Sequence, residues 1–151
     1  MRHTRIDLGL LALRLALGVV FVMHGGQKLF ELGPGGVAGF LGSIGVPFPA
    51  VNAWLVIAAE LGGGLALLAG ALTRLAGLAT AFTMVVAITT VHLANGFFLP
   101  AGYEFALTLM LASVALVLTG PGAFSVDAIL TRRQSTGMAM PAAAPTYHRA
   151  A

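Results

Sequence analysis

The chain has 151 residues, of which 58% are hydrophobic and only 9% are charged, and its mean hydropathy is +0.95. Soluble domains carry about 25% charged residues, so this composition indicates an integral membrane protein. The net charge is +3, but most of the basic residues lie near the termini and in one short turn, and they form no basic–aromatic face for nucleic acid. The absence of cysteine excludes disulfides, thiolate metal sites and iron–sulfur clusters.

The first apolar stretch predicts a transmembrane helix from about Leu8 to Phe30. It is longer than the core of a signal peptide and lacks a cleavage motif, so we interpret it as a retained helix. Arg14, His24 and Lys28 share one stripe of this helix, because His24 and Lys28 lie about 40° apart around its axis and Arg14 lies within about 80° of His24. We expect the stripe to face other helices, although Arg14 and Lys28 could instead extend towards the two membrane surfaces.

A segment rich in glycine and proline follows, and its apolar residues recur at helical spacing: Val37, Phe40, Leu41 and Ile44. This spacing predicts a short helix over about residues 36–44, which we interpret as an interfacial connection rather than a lid over a polar site. The remaining apolar runs predict three more spanning helices, at about residues 50–71, 75–93 and 103–119.

The predicted fold is therefore all-α: an integral membrane four-helix bundle over residues 1–130, with a short interfacial helix between helices one and two. From Thr131 onward the helical periodicity is lost, and we expect a disordered cytoplasmic tail over residues 131–151. If four helices alternate across the membrane, five arginines lie on one side: Arg2, Arg5, Arg74, Arg132 and Arg133. The positive-inside rule then predicts that both termini are cytoplasmic.

Glu60 lies near the middle of the predicted second helix, in a run of apolar and glycine residues. A charge at this depth costs about 2.5–3.5 kcal/mol on insertion scales, so it predicts a functional site. The glycines Gly62–Gly64 permit close approach of another helix one turn away. We expect His24 and Lys28 above Glu60 and Arg14 below it, from the rise of about 1.5 Å per residue.

Two further polar residues are expected at the outer level of Lys28. His92 ends the predicted third helix and Glu104 begins the fourth. Glu104 also has a structural explanation, because a carboxylate in the first turn interacts favourably with the helix dipole.

This cluster fits three kinds of chemistry. A quinone head group needs hydrogen-bond donors and a proton route at its carbonyl oxygens. Haem b needs two facing histidines, and His24 with His92 is a disfavoured pair because their expected depths differ. A proton or small-solute pathway is the third possibility. Alternatively, the charges only form salt bridges that hold the helices together.

For the quinone site, the candidate catalytic residues are Glu60 and His24, and the candidate cofactor-binding residues are Lys28, His92, Glu104 and Arg14. No metal site is predicted. Any enzymatic activity would require a partner that supplies electrons, because the chain has no cysteine.

Five stretches together resemble the DoxX family of small bacterial membrane proteins: LRLALGVVFVMHGGQKL, SIGVPFP, AAELGGGLALLAGALTRLAG, GYEFALTLML and GPGAFSVDAIL. The resemblance covers about Leu8 to Leu130. The chain carries the family's residue at these pattern positions: Arg14, His24, Gly25, Lys28, Glu60, Gly63, Gly64, Gly70, Arg74, Glu104, Gly120, Gly122, Ser125 and Asp127. Val126 is a departure, since leucine is common at that position.

The resemblance implies a four-helix bundle in the bacterial cytoplasmic membrane, similar to the membrane subunit of a thiosulfate:quinone oxidoreductase. It thus favours a quinone-interacting subunit or accessory of a membrane-associated oxidoreductase. Two alternatives remain: a non-enzymatic scaffold that docks a soluble or peripheral redox protein, and a small-solute or proton conductor. The expected partners are the lipid bilayer, such a redox protein, or further copies of the chain.

Overall fold

The computed structural model of the protein describes residues 2–137, and every regular element in that range is helical. The α-helices are α1 (Arg2–Gly26), α2 (Gly33–Ser43), α3 (Pro49–Ile57), α4 (Gly63–Ala69), α5 (Thr73–Ala87), α6 (Glu104–Thr119) and α7 (Val126–Gly137). Three π-helical segments lie among them: π1 (Gln27–Glu31), π2 (Ala58–Gly62) and π3 (Ile88–His92).

Each π segment continues an α-helix without a break. The result is three continuous helices, each long and apolar enough to cross a membrane. We call them the first, second and third long helices: Thr4–Glu31, Pro49–Ala69 and Thr73–Asn95. Helix α6 is a shorter apolar helix of 16 residues. The ends of all four differ from the predicted ranges by only a few residues.

Proline and glycine set the boundaries of the second long helix. Pro49 occupies its first turn, where a missing N–H costs nothing, and follows Phe48 in a left-handed conformation. Gly70 ends the helix with a φ of 67°, a conformation that glycine adopts without steric strain. The turn to the third long helix is completed by Leu72, whose φ is 48°.

The three long helices and α6 pack side by side around one apolar core. The first long helix contacts the second, the second contacts the third, the third packs on α6, and α6 returns to α1. The largest buried apolar side chains of this core are Leu17, Phe21, Leu67, Met84, Leu109 and Leu116. Helix α2 packs separately on α3, where Val37 meets Ala53 and Ile57.

Glycines bring the first and second long helices into close contact. A Cβ atom on Gly64 would lie only 2.7 Å from the backbone nitrogen of Val22, and one on Gly18 would lie 3.0 Å from the carbonyl oxygen of Gly64. Gly63 faces the third long helix, since a Cβ atom there would lie 3.0 Å from the methyl group of Thr80. The predicted close approach at these glycines is confirmed at Gly63 and Gly64, whereas Gly62 faces open space.

Helix α7 corrects the expected start of the disordered tail. It continues from Val126 to Gly137, so the tail does not begin at Thr131. Its first turn is stabilised because the Ser125 hydroxyl accepts a hydrogen bond from the N–H of Ala128 at 3.1 Å, as an N-cap residue does. The rest of the predicted tail, residues 138–151, lies outside the described residues.

Candidate functional site

An ion pair between Lys28 and Glu60 joins the first and second long helices. Lys28 Nζ lies 2.5 Å from Glu60 Oε2, and the two side chains are 26% and 5% exposed. Both partners lie within helices that are long and apolar enough to cross a membrane. Pairing is what makes such a buried carboxylate tolerable, because an isolated ion in an apolar medium costs several kcal/mol.

The close packing of the two helices positions this pair. Gly25 lies against the backbone of Leu61, where any Cβ atom would clash, so the residues on either side are drawn together. Lys28 follows Gly25 by one turn, and Glu60 immediately precedes Leu61. The sequence therefore places the glycine and the lysine on the same helical face, towards the glutamate.

Both members of the pair lie in π-helical segments. Lys28 belongs to π1 and Glu60 to π2, and His92 occupies the third such segment, π3. A π turn accommodates an extra residue and thereby changes the direction of the side chains around it. Such segments are rare and occur often at functional sites. Three of the six predicted site residues thus lie in unusual helix geometry.

The ion pair does not use all of its hydrogen-bonding capacity. An ammonium group has three N–H donors, and a carboxylate has two acceptor oxygens. Within residues 2–137, Lys28 donates to Glu60 Oε2, and Glu60 Oε1 accepts no hydrogen bond. The pair can therefore donate to and accept from a polar group that reaches it.

His24 lies one turn before Lys28 on α1 but makes no hydrogen bond to the pair. Its exposed ring lies beside Phe105 of α6, with the ring centroids 6.4 Å apart and the planes inclined by 53°. The structure thus places His24 between α1 and α6, whereas Glu60 lies between the first and second long helices.

His92 and Glu104 bind the loop that precedes α6. His92 Nδ1 lies 2.9 Å from the carbonyl oxygen of Ala101, so Nδ1 must carry the hydrogen and Nε2 is the acceptor of the neutral ring. Glu104 Oε1 accepts a hydrogen bond from the N–H of Leu99 at 2.8 Å. These contacts tie both residues to the loop and connect neither residue to the Lys28–Glu60 pair.

Arg14 lies below Glu60 in the first long helix, but it makes no contact with Glu60. It is only 1% exposed, and it lies 14 positions before Lys28, about 21 Å along the helix. Its guanidinium donates to three backbone carbonyls: Leu67 at 3.2 Å, Pro121 at 2.5 Å and Phe124 at 2.7 Å. The partner of Glu60 is therefore Lys28, and Arg14 instead holds the loop before α7 against the first two long helices.

Two aspartates, which the sequence did not single out as site residues, complete this second polar cluster. Asp127 accepts hydrogen bonds from the N–H groups of Leu72 and Thr73, at 2.8 and 2.9 Å, and so caps the start of α5. Asp7 accepts one from the N–H of Ala123 at 2.9 Å. The GPG-x-x-S-x-D motif identifies this loop in the sequence. The residues that form hydrogen bonds with the loop, however, lie far away along the chain.

The pKa of Asp127 reflects this environment. Burial acts to raise it, but the N–H groups of Thr73 and Leu72, the Thr73 hydroxyl and the charge of Arg14 outweigh burial and hold the pKa below its ordinary value. A carboxylate that accepts backbone N–H bonds is stabilised in its charged form. The helix cap is therefore ionised at neutral pH.

These features define a class: an all-helical membrane protein with a charged pair buried between its first two long helices. Large apolar side chains face outwards along all three of these helices, among them Met23 (68% exposed), Leu65 (53%) and Phe82 (66%), as expected of a surface in contact with lipid. The DoxX family model matches residues 9–93, which include Lys28 and Glu60. The chain belongs to the DoxX family.

Two similar proteins have names that bear on function. The chain is 36% identical over 131 residues to "Putative oxidoreductase CatD" of Bacillus subtilis (strain 168), covering 87% of this chain and 93% of that protein. It is 35% identical over 129 residues to "Inner membrane protein YqjF" of Escherichia coli (strain K12), covering 84% and 95% respectively. No solved structure matches the chain at a significant level.

Proposed function

We propose that the protein is a quinone-interacting subunit or accessory of an oxidoreductase in the bacterial inner membrane. The observation that carries the proposal is the Lys28–Glu60 pair, in which the carboxylate is buried, the ammonium is partly exposed, and donors and an acceptor remain unused. If every donor and acceptor of the pair were hydrogen-bonded, helix packing alone would explain the pair. This pair has donors for the carbonyl oxygen of a quinone and an acceptor for the hydroxyl of the reduced quinol.

The residues fit a quinone head group chemically. A bound quinone would supply a two-electron, two-proton acceptor for an oxidoreductase partner. Lys28 Nζ would donate a hydrogen bond to a carbonyl oxygen, and Glu60 would hold and release a proton beside it. His24, one turn from Lys28 and exposed, would exchange protons with the surroundings. Arg14 has no place in this mechanism, because each of its three guanidinium nitrogens donates to a backbone carbonyl far from Glu60.

The relatives support the class and the location. One is named an oxidoreductase and the other an inner membrane protein, and each covers most of this chain. With no cysteine in the sequence, thiolate-held redox centres are excluded, so the electrons would come from a soluble or peripheral partner.

We further propose that α6 is a fourth spanning helix and that α2 is interfacial. Helix α6 has 16 residues, or about 24 Å at 1.5 Å per residue, somewhat less than the ~30 Å hydrocarbon core. Its start is next to Tyr103, an aromatic side chain of the kind found at membrane surfaces. Four spans place both termini on the cytoplasmic side with Arg5 and Arg74, in agreement with the positive-inside rule.

Quinone content tests this function. The protein is purified in mild detergent, its lipids are extracted, and the ratio of quinone to protein is compared with that of Glu60→Gln. Glu31→Gln is the matched control, because Glu31 is an exposed glutamate of π1. We expect quinone in the wild type and in Glu31→Gln, with at least a fivefold loss in Glu60→Gln. Equal quinone in all three proteins, or none in any, would contradict the proposal.

The same purified protein tests whether haem b is bound instead of a quinone. Haem b would give an intense Soret band in the absorption spectrum and would require His24 and His92 to face each other. His92 Nδ1 is bound to Ala101, and His24 lies beside Phe105, so their known contacts do not pair them. We expect no Soret band.

A second function is favoured by the exposed charge on α7. Arg132 and Arg133 are exposed, and Asp127 fixes their helix to the turn before α5. A rigid basic helix of this kind suits a scaffold that docks an acidic redox protein. A quinone-free protein that retains its partner in Glu60→Gln but loses it in Arg132→Glu/Arg133→Glu would favour the scaffold. Proton flux in liposomes that is abolished by Glu60→Gln would favour the conductor.

A further inference from the structure

We propose that α7 is an amphipathic helix that binds the anionic phospholipids of the membrane surface. Its apolar side chains would enter the layer between the head groups, and its arginines would contact the phosphates. This binding surface is separate from the Lys28–Glu60 pair and depends only on the membrane location of the chain.

Hydrogen bonds fix the start of α7 beside the turn between the second and third long helices. Asp127 donates its N–H to the carbonyl oxygen of Gly70 at 3.0 Å. Its carboxylate accepts from the N–H groups of Leu72 and Thr73. The two helices that meet at this turn have 21 and 23 residues, or about 32 and 35 Å, close to the ~30 Å hydrocarbon core. The turn, and with it the start of α7, therefore lies at the depth of the lipid head groups.

One side of α7 is apolar and largely exposed. Val126, Ile129 and Leu130 are each at least 40% exposed, and they lie within an arc of about 100° around the helix axis. Asp127 and Thr131 lie on another side of the helix, where they line a cavity together with residues of the turn. The apolar side therefore faces away from the turn.

A helix with this pattern of exposure requires a surface on which to pack. Helix α7 has 12 residues, and every residue from Ile129 to Gln134 is exposed. Helices of this length are only marginally stable in water, and most of their stability comes from packing of the apolar side. The head-group layer lies at the depth where α7 begins, so lipid is the partner that its position favours.

The charge of α7 is complementary to an anionic lipid surface. Arg132 and Arg133 are exposed, and the sequence from Ala128 to Ala151 contains no acidic residue. An arginine on an interfacial helix can extend its guanidinium to the phosphates while its methylene groups stay in the apolar layer. An acidic soluble protein would attract the same arginines, but the apolar side chains at head-group depth favour the membrane.

Nitroxide labels on the purified protein test the proposal, because the chain without cysteine accepts one label at a time. Ile129→Cys and Leu130→Cys place a label on the apolar side, and Gln134→Cys is the control outside the apolar arc. The proteins are compared in nanodiscs of phosphatidylcholine with and without phosphatidylglycerol. With phosphatidylglycerol, we expect the labels at 129 and 130 to collide mainly with oxygen, as in lipid. The label at 134 should collide mainly with a water-soluble nickel complex.

A pair of arginine variants tests the preference for anionic lipid. Arg133→Gln is combined with the label at 130, and Arg5→Gln is the control, because Arg5 is an exposed arginine outside α7. One arginine near an anionic surface changes binding about fivefold, so the ratio of lipid-inserted to water-exposed label should fall about fivefold in Arg133→Gln only.

Three results would overturn the proposal. Labels at 129 and 130 that are exposed to water in both kinds of nanodisc would show that α7 does not bind the membrane. Labels protected from oxygen and nickel alike would show that protein covers the apolar side. Equal insertion with and without phosphatidylglycerol, or equal effects of the two arginine variants, would show that α7 does not select anionic lipid.

Discussion

The unequal exposure of Lys28 and Glu60 predicts which substitution destabilises the protein more. Lys28→Met leaves the Glu60 carboxylate buried and unpaired, whereas Glu60→Gln leaves an ammonium that is 26% exposed and can extend to water. We expect Lys28→Met to cost about 2–3 kcal/mol and Glu60→Gln about 1 kcal/mol or less. Thermal unfolding followed by the fluorescence of Trp54, the single tryptophan, measures both. The opposite order would show that Glu60 is not the buried partner.

Asp127 predicts a pH dependence of stability at acid pH. Its pKa is lowered in the folded protein, so the stability it contributes is complete above the ordinary pKa of 3.8 and is lost as the pH falls through the lower folded-state pKa. Asp127→Asn removes the charged cap and should cost about 1 kcal/mol at pH 7. We expect the difference in unfolding free energy between wild type and Asp127→Asn to be constant above about pH 5 and to shrink below about pH 4. A difference that grows on acidification would contradict this sign.

At the scale of elements, the glycine contact between the first and second long helices predicts that substitutions at neighbouring glycines have very different effects on stability. Gly64→Leu forces the backbone at Val22 away, whereas Gly62→Ala enters open space and improves helix propensity. We expect Gly64→Leu to cost at least about 2 kcal/mol and Gly62→Ala to be neutral or stabilising by up to ~1 kcal/mol. Chemical cross-linking or unfolding in detergent measures the difference. Equal effects would mean that the helices are not in close contact at Gly64.

The long helices could be predicted from the sequence because apolar runs and proline or glycine boundaries are local features. Pro49 and Gly70 define the second long helix almost to the residue. Lys28 and Glu60 could be named as site residues, since charges in apolar runs are conspicuous. Their exclusive pairing could not be predicted, because the π segments that hold them have no compositional signal.

The contacts of Arg14 could not be predicted from the sequence, for a different reason. An arginine in an apolar helix suggests a carboxylate partner, but this guanidinium binds backbone carbonyls of Leu67, Pro121 and Phe124. Every residue offers a carbonyl, so no residue type identifies such a partner. Likewise, the carboxylate of Asp127 caps α5, 54 positions away at Thr73, and no local pattern around Asp127 indicates that contact.

At the scale of the whole molecule, the chain without cysteine is suited to a topology experiment. Single cysteines at Thr4, Phe98 and Gln134, all exposed, report the N-terminal end, the loop before α6 and helix α7. With four spans, an impermeant maleimide added to intact cells whose outer membrane is permeable should label Phe98→Cys only. If α6 does not span the membrane, Gln134→Cys and Phe98→Cys would share one side and Thr4→Cys would lie on the other.

The central question is whether the Lys28–Glu60 pair binds a quinone or only joins two helices. The charge-swapped variant Lys28→Glu/Glu60→Lys preserves an ion pair but exchanges the acid and the base between the two helices. Its unfolding temperature and its ratio of bound quinone to protein should be measured together, beside those of Lys28→Met. We expect the swap to recover at least half of the stability lost in Lys28→Met, while quinone occupancy stays at least fivefold below that of the wild type. Recovery of stability and quinone together would show that the pair is structural and that the quinone lies elsewhere.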